Sequence, residues 1–442
     1  MHEAKNSLGV IFFPAFDWSI SPTHPEREER LLYTQDQLKE EGLFDIEGVD
    51  EHKPGVATRE DIERVHFCYP EVEAVATRSH LVAAGGTITA ADLVMSGRHK
   101  KAFALVRPPG HHAMKVVHGS RGFCNINIEA VMIEHLREKH GKRRIAVVDT
   151  DCHHGDGTQD IYWHDPDVLF ISLHQDGRTL YPGSGFPQEC GGPKALGRTI
   201  NIPLPPGTSD EGYMMVMERV VLPLLQDFKP EVVINSAGQD NHFTDPITNM
   251  NLTAQGYARL TELLQADIAV LEGGYAIQGA LPYVNLGICL SMAGLDYSGV
   301  REPGFDAVKH SQRPQIAEYL AKLCDALPEL YFNPPRLEQM ASGGKIEGDW
   351  FVRHKDIYYD TDGISEAQTE ELLLCDSCRG LLKIVSRTTK NPACLGVEIP
   401  LDACPACREK GLALYEESQA KDGYRYCQLI NRVDRQYLRH GF

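Results

Sequence analysis

The chain has 442 residues, 42% hydrophobic and 24% charged, the balance of a soluble globular protein long enough for one large domain and a smaller companion. Its 62 acidic residues against 44 Lys and Arg leave a formal charge of −18, which argues against phosphate-backbone binding and is compatible with a basic substrate. No apolar run reaches the ~18 residues of a membrane span, and the opening "MHEAKNSLGVIFFP" has no secretory pattern, so a cytoplasmic protein with reduced thiols is expected.

In chain order, "SLGVIFF" (7–13), "KAFALV" (101–106), "RRIAVV" (143–148), "DVLFISL" (167–173), "EVVINSA" (231–237) and "ADIAVL" (266–271) are continuous apolar runs of strand length. Helical spacing fills many of the gaps, as in "EAVMIEHLREKHG" (129–141) and "YMMVMERVVLPLLQDF" (213–228). Strands that read as buried on both faces, alternating with helices, predict an α/β domain with a mostly parallel central sheet flanked by helices.

Five of these strands discharge into polar, Gly-rich loops. They are "RPPGHHA" (107–113), "DTDCHHGDG" (149–157), His174 with "DGRTLYPGSGFP" (176–187), "GQDNH" (238–242) and "EGGYA" (272–276). The C-terminal edge of an open α/β sheet is where ligands bind, and five such loops argue for one shared site. Asp151 and His153, two residues apart at a strand end, can turn toward one point, with Asp240 as the best third donor. Three protein ligands leave a coordination position for water, the pattern of catalytic zinc. Carboxylate and imidazole donors also suit iron or cobalt. Asp149 and Asp156 are then available to orient the tandem histidines His111 and His112.

"RPPGHHA", "GFCNIN" (122–127), "DTDCHHGDG", "ISLH" (171–174), "YPGSG" (181–185), "SAGQD" (236–240) and "LEGGY" (271–275) stand in the order and spacing of the zinc-dependent histone deacetylase family. "HPEREERL" (24–31) and "RVH" (64–66) add to the resemblance, which covers roughly residues 7–330. The bacterial branch of histone deacetylase-like amidohydrolases and acetoin-utilisation-type proteins is the nearest in pattern. The resemblance implies the arginase–deacetylase fold and hydrolysis of acyl-lysine by metal-activated water. It implies that Asp151, His153 and Asp240 hold the catalytic zinc. His112 would be the general acid–base, His111 its electrostatic neighbour, and Asp149 and Asp156 the carboxylates behind them. Tyr275 would hydrogen-bond the scissile carbonyl, and Gly122 would accept the lysine N–H. Phe123 and Tyr181 would wall a narrow tunnel, with Tyr181 where phenylalanine is usual. A potassium ion is implied at Asp149, Asp151, His153, Ser172 and Leu173, and Arg30 near an internal cavity.

Acetylpolyamine deacetylases of this fold carry a glutamate seven residues after the last metal aspartate. Ile247 stands there, which favours an acyl-lysine or a neutral acylated amine. The complete set of His, Asp and Tyr residues argues against a non-catalytic acyl-lysine-binding module. A two-manganese arginase would need more carboxylates. The composition leaves a homo-oligomer open and gives little support to nucleic acid or membrane partners.

After "LYFNPPRLEQMASGGK" (330–345) the strand–helix alternation stops, which divides the chain into a catalytic domain, 1–335, and a C-terminal segment, 336–442. "CDSC" (375–378) and "CPAC" (404–407) predict a structural zinc on Cys375, Cys378, Cys404 and Cys407 in a zinc-ribbon-like domain. A segment this small is expected to draw its folding free energy from the metal. Cys394 and Cys427 are expected to be free thiols.

Overall fold

Among the described residues, ten strands precede residue 300: β1 (Glu3–Phe13), β2 (Glu47–His52), β3 (Phe67–Cys68), β4 (Lys101–Val106), β5 (Val116–Val117), β6 (Ile145–Asp149), β7 (Val168–Gln175), β8 (Thr199–Leu204), β9 (Val232–Ala237) and β10 (Ile268–Leu271). The computed structural model describes residues 3–21, 23–336, 344–420 and 423–441. β3 pairs with β5, and the other eight form one sheet in the order β2-β1-β4-β10-β9-β6-β7-β8. Every neighbouring pair in that sheet is parallel.

The six apolar runs became β1, β4, β6, β7, β9 and β10. β2 and β8 were not foreseen, and both are edge strands. β2 is "EGVDEH", charged because one edge faces water; β8 carries Pro203, whose missing N–H is tolerated at an edge. Successive residues of the central strands enter opposite cores. Val10, Phe103 and Val148 pack with Tyr213, Leu260, Leu281 and Leu320 on one side. Ile11, Ala104 and Val147 pack with Ala83, Val131 and Ile161 on the other. Each apolar side chain buried in this way contributes ~1.5–3 kcal/mol, which is why the runs are apolar on both faces.

Helix Ile128–His140 begins where the Asn127 side chain accepts the Ala130 N–H and ends at Gly141, at φ 66°. The helix predicted over 213–228 runs from Asp210 to Phe228 and contains a π-type turn at Met217–Val221.

The C-terminal part is more than the small ribbon its cysteine spacing suggested. β11 (Lys345–Glu347), β12 (Trp350–Tyr359), β13 (Ile364–Leu373), β14 (Leu382–Thr388), β15 (Cys394–Ile399), β16 (Tyr426–Asn431) and β17 (Gln436–His440) form one sheet in sequence order. All pairs are antiparallel except β15 and β16, which helix Pro405–Ala420 connects. One face packs Phe351, Leu372, Ile384, Tyr426 and Ile430 against Phe67, Tyr69 and Val116 of the first part. The other packs Val385, Leu395, Val397, Ile399 and Leu429 against Tyr415 of the helix. These two cores correct the expectation of a segment too small to have an apolar core of its own. Part of the stretch that marked the proposed boundary, residues 337–343, lies outside the described residues.

Ion pairs tie the two parts together. Lys115 lies 2.5 Å from Glu398, and Arg432 bridges Glu398, at 2.8 Å, to Glu134. Lys355 reaches Asp160 at 2.6 Å and Arg379 meets Asp165 at 2.9 Å, and a hydrogen bond joins His164 to Glu370 at 2.8 Å.

Candidate active site

The five strands that end in polar loops, β4, β10, β9, β6 and β7, are consecutive neighbours in the sheet. Their loops therefore converge. Asp151, His153 and Asp240 bring one ligand atom each to within 4.8 Å of one another, all three side chains buried. His153 Nδ1 lies 2.9 Å from Asp240 Oδ2 and 3.1 Å from Asp151 Oδ1. Backbone donors fix the carboxylates: Cys152 N–H donates to Asp240 Oδ1 at 2.8 Å, and Gly273 N–H to Asp151 Oδ2 at 2.6 Å. A Cβ on Gly273 would fall 2.3 Å from Asp240 Oδ2, so only glycine lets this loop approach so closely. One imidazole and two carboxylates, buried and brought together in this way, are a donor set that fits a divalent transition metal.

The tandem histidines stand on the β4 loop. His111 Nδ1 lies 3.0 Å from Asp149 Oδ2, and His112 Nδ1 lies 2.7 Å from Asp156 Oδ1, with the two rings 4.1 Å apart. Their electrostatics diverge. Burial disfavours charge on His111, but Asp151 and Asp149 outweigh it and raise its pKa well above the ordinary value. Burial, then His111 and Arg121, lower that of His112, which stays neutral. A neutral imidazole backed by a carboxylate can accept a proton at its free nitrogen. The His112 and His153 rings are 6.1 Å apart, so the neutral base stands beside the ligand cluster.

The aromatic residues frame the approach. Gly122 has φ 53° and Phe123 φ 69°, both left-handed, and a Cβ on Gly122 would strike the His112 ring at 2.4 Å. Phe123 packs edge-on against Tyr275 at 5.7 Å, and Tyr181 against His112 at 5.2 Å. Burial holds the Tyr275 phenol well above its ordinary pKa, so it stays a donor. The Arg30 guanidinium sits 5.0 Å from the Tyr275 ring centre, donates to the Gly274 carbonyl at 2.7 Å and pairs with buried Glu26 at 2.8 Å. Ile247 is half-buried, and its N–H donates to Asp245 Oδ1 at 3.0 Å. Ser172 is the register partner of Asp149 on β7, next to Leu173, and its hydroxyl lies 2.8 Å from His174 Nδ1.

Several residues were missed. Asp245 accepts the Tyr275 N–H at 2.9 Å, and burial and then Asp240 raise its pKa to about 7. Glu272 accepts the Gly110 and His111 N–H groups at 2.7 and 3.0 Å. It stands in "LEGGY", where a lone carboxylate beside two glycines was a usable signal. Glu129 is fully buried, and burial and then Glu272 push its pKa well up. Arg121 pairs with Asp156 at 2.5 Å. Asp360, from the turn between β12 and β13, accepts the Gly122 N–H at 2.8 Å; nothing in its distant sequence position signalled that contact.

The four paired cysteines form a second cluster, their sulfurs all within 4.8 Å and Cys375 Sγ 3.9 Å from Cys404 Sγ. Sulfurs at ~2.3 Å from a tetrahedral zinc stand ~3.8 Å apart, so the set fits a closed site. Cys394 and Cys427 are buried outside it.

The family profile "Histone deacetylase domain" matches residues 67–284. A probable deacetylase of Archaeoglobus fulgidus is 50% identical over 324 residues, covering 67% of this chain and 89% of that protein. The histone deacetylase-like amidohydrolase of Pseudomonas aeruginosa is 36% identical over 267 residues, 56% of this chain and 69% of that one. The acetoin utilization protein AcuC of Bacillus subtilis is 32% identical over 365 residues, 74% and 90% of the two chains. The crystal structure of the HDA15 HD domain superposes with a TM-score of 0.62 at 28% identity, covering 74% of this chain and 97% of that one.

Proposed function

This chain belongs to the histone deacetylase family, has its arginase–deacetylase fold and is a hydrolytic deacetylase of acetylated substrates; on that premise we propose that it removes acetyl or other acyl groups from lysine side chains, with zinc held by Asp151, His153 and Asp240. The observation that carries this reading is the convergence of those three ligand atoms beside the His112–Asp156 pair.

Bound there, zinc would acidify a water toward a pKa of ~7 and polarise the acyl carbonyl. The protein supplies the rest. His112 takes the attacking water's proton at its free nitrogen and returns one to the leaving amine, while Asp156 fixes the ring. His111, paired with Asp149 at 3.0 Å, is the electrostatic neighbour of His112. Tyr275 donates a hydrogen bond to the carbonyl oxygen as it becomes an oxyanion. The Gly122 carbonyl accepts the amide N–H, and Phe123 and Tyr181 exclude water from the alkyl chain. Residues 1–335 are the catalytic unit in this reading, and 336–442 a docked unit whose Cys375, Cys378, Cys404 and Cys407 hold a structural zinc. A potassium ion at Asp149, Asp151, His153, Ser172 and the Leu173 carbonyl belongs to the same reading. Among the described residues, no helix is long and apolar enough to cross a membrane.

The test is hydrolysis by the zinc-loaded full chain of acetyl-lysine peptides, longer acyl-lysines and acetylpolyamines. Turnover of acyl-lysine, lost on chelation and restored by zinc, is expected. A zinc-loaded protein that cleaves no acylated amine overturns the reading.

A further inference from the structure

The C-terminal sheet reaches the mouth of the candidate active site. The turn at residues 360–363 between β12 and β13 lies against the segment that links His112 to Phe123. Asp360 Oδ1 accepts the Gly122 N–H at 2.8 Å and stands 3.5 Å from the Tyr181 hydroxyl. Asp362 Oδ2 accepts the Ser120 N–H at 2.6 Å, and a Cβ on Gly119 would meet the same oxygen at 2.2 Å. The Tyr359 hydroxyl donates to the Val116 carbonyl at 3.0 Å, and Ile357, Tyr359 and Ile364 pack on Met114. The turn is thus seated on the loop by polar and apolar contacts, and the Asp360 carboxylate is held at the rim while remaining exposed.

Its surroundings leave part of the negative charge available. The neighbouring guanidinium, Arg121, interacts with Asp360 but is engaged chiefly by Asp156, at 2.5 Å. His24, whose ring lies 4.3 Å from that of Phe123, is biased toward its neutral form by burial. Asp362 adds a second exposed carboxylate two residues on. The apolar Ile247 therefore does not describe the whole rim: a carboxylate comes from a different part of the chain.

Resting on the deacetylase reading above, we propose that Asp360 is a specificity-determining residue that favours acetylated amines carrying a second positive charge next to the tunnel mouth. A cation there meets an opposite charge at the exposed rim, whereas a neutral group gains nothing from it.

The test uses the zinc-loaded full chain and two acetyl-lysine tripeptides that differ only in a neighbouring arginine or its uncharged isostere, citrulline. Wild type is expected to favour the arginine peptide in kcat/KM by about 2- to 5-fold, the range of a partly exposed ion pair, and the advantage should shrink as salt rises. Asp360→Asn keeps an oxygen acceptor for the Gly122 N–H and removes the charge, so the ratio should move toward one. A ratio in Asp360→Asn equal to that of wild type overturns the proposal. So does an equal loss on both peptides, which would make Asp360 a brace for the loop and no more. A wild-type advantage that ignores salt counts against it independently of the variant's folding. Failure of wild type to cleave either peptide is distinguishable, because it removes the deacetylase reading and this inference together.

Discussion

His153 and Asp240 are separated by 87 residues and meet only because β6 and β9 are neighbours; Cys375, Cys378, Cys404 and Cys407 sit in two short knuckles on β-strand and helix ends. The first cluster has three donors and opens toward a neutral histidine. The second has four donors and no room for a reactant. The first is held by backbone N–H groups of a sheet with cores on both faces, which fix its two carboxylates. The second joins the β13–β14 connection to the start of a helix, beside strands that already pack on Phe67, Tyr69 and Val116. Rigidity serves reactivity at one site; at the other, the metal would pin a local joint.

Breaking the catalytic region should have the largest effect. His112→Ala should lower kcat by ~10²–10⁴-fold, the usual worth of a positioned acid–base, with zinc content unchanged. Steady-state kinetics with metal analysis on one preparation checks this, and a kcat within a few-fold of wild type would remove His112 from the reaction. Tyr275→Phe should cost ~10²–10³-fold in kcat with little change in KM, since its donor acts on charge present only in the transition state. A loss confined to KM would recast it as a ground-state contact.

At the other region the effect moves from rate to local stability. Cys375→Ser with Cys378→Ser should remove one zinc and speed hydrogen exchange in residues 374–381 and the first turn of helix Pro405–Ala420. The apolar faces of β14–β16 should stay protected. Exchange that rises throughout residues 344–441 would restore the metal-dependent fold that the cysteine spacing first suggested.

The smallest effect is on the seam between the regions. Burial favours a neutral Glu398, but Lys115 and Arg432 outweigh it and lower its pKa to about 2. A depressed folded-state pKa means that this group's stabilisation is present above its unfolded value of ~4.3 and is lost as pH falls through about 2. Docking of the C-terminal sheet, followed by exchange at Val116 and Val117, should therefore weaken from about pH 4 downward, less so in Glu398→Gln. Identical profiles for the two proteins would assign the seam to its apolar contacts.

The same contrast explains what the sequence disclosed. β4, β6, β7, β9 and β10 are buried on both faces, so each carries a mostly apolar run, and the loops after them gather the polar residues of the candidate site. β13 reads differently. Its inward side chains are Ile364, Glu366, Gln368, Glu370 and Leu372, and three of these are polar: Glu366 lies 3.9 Å from His118, Gln368 donates to Glu366, and Glu370 meets His164, Arg353 and Lys355. A strand whose buried face is polar has no hydrophobic alternation to find. The knuckle cysteines were legible because their spacing is local. Asp360 was not, because its partner Gly122 is 238 residues away and neither residue type is distinctive.

In the proposed reading two metal sites divide the work, one reactive and one structural. Zinc content and acetyl-lysine hydrolysis, measured on the same samples of wild type, Asp240→Ala and the Cys375→Ser, Cys378→Ser double variant, separate them. Two zinc ions per chain and turnover are expected in wild type, one zinc and no turnover in Asp240→Ala, and one zinc with turnover retained in the double variant. Two zinc ions and full turnover in Asp240→Ala, or a single zinc in wild type that the cysteine substitutions leave in place, would contradict it.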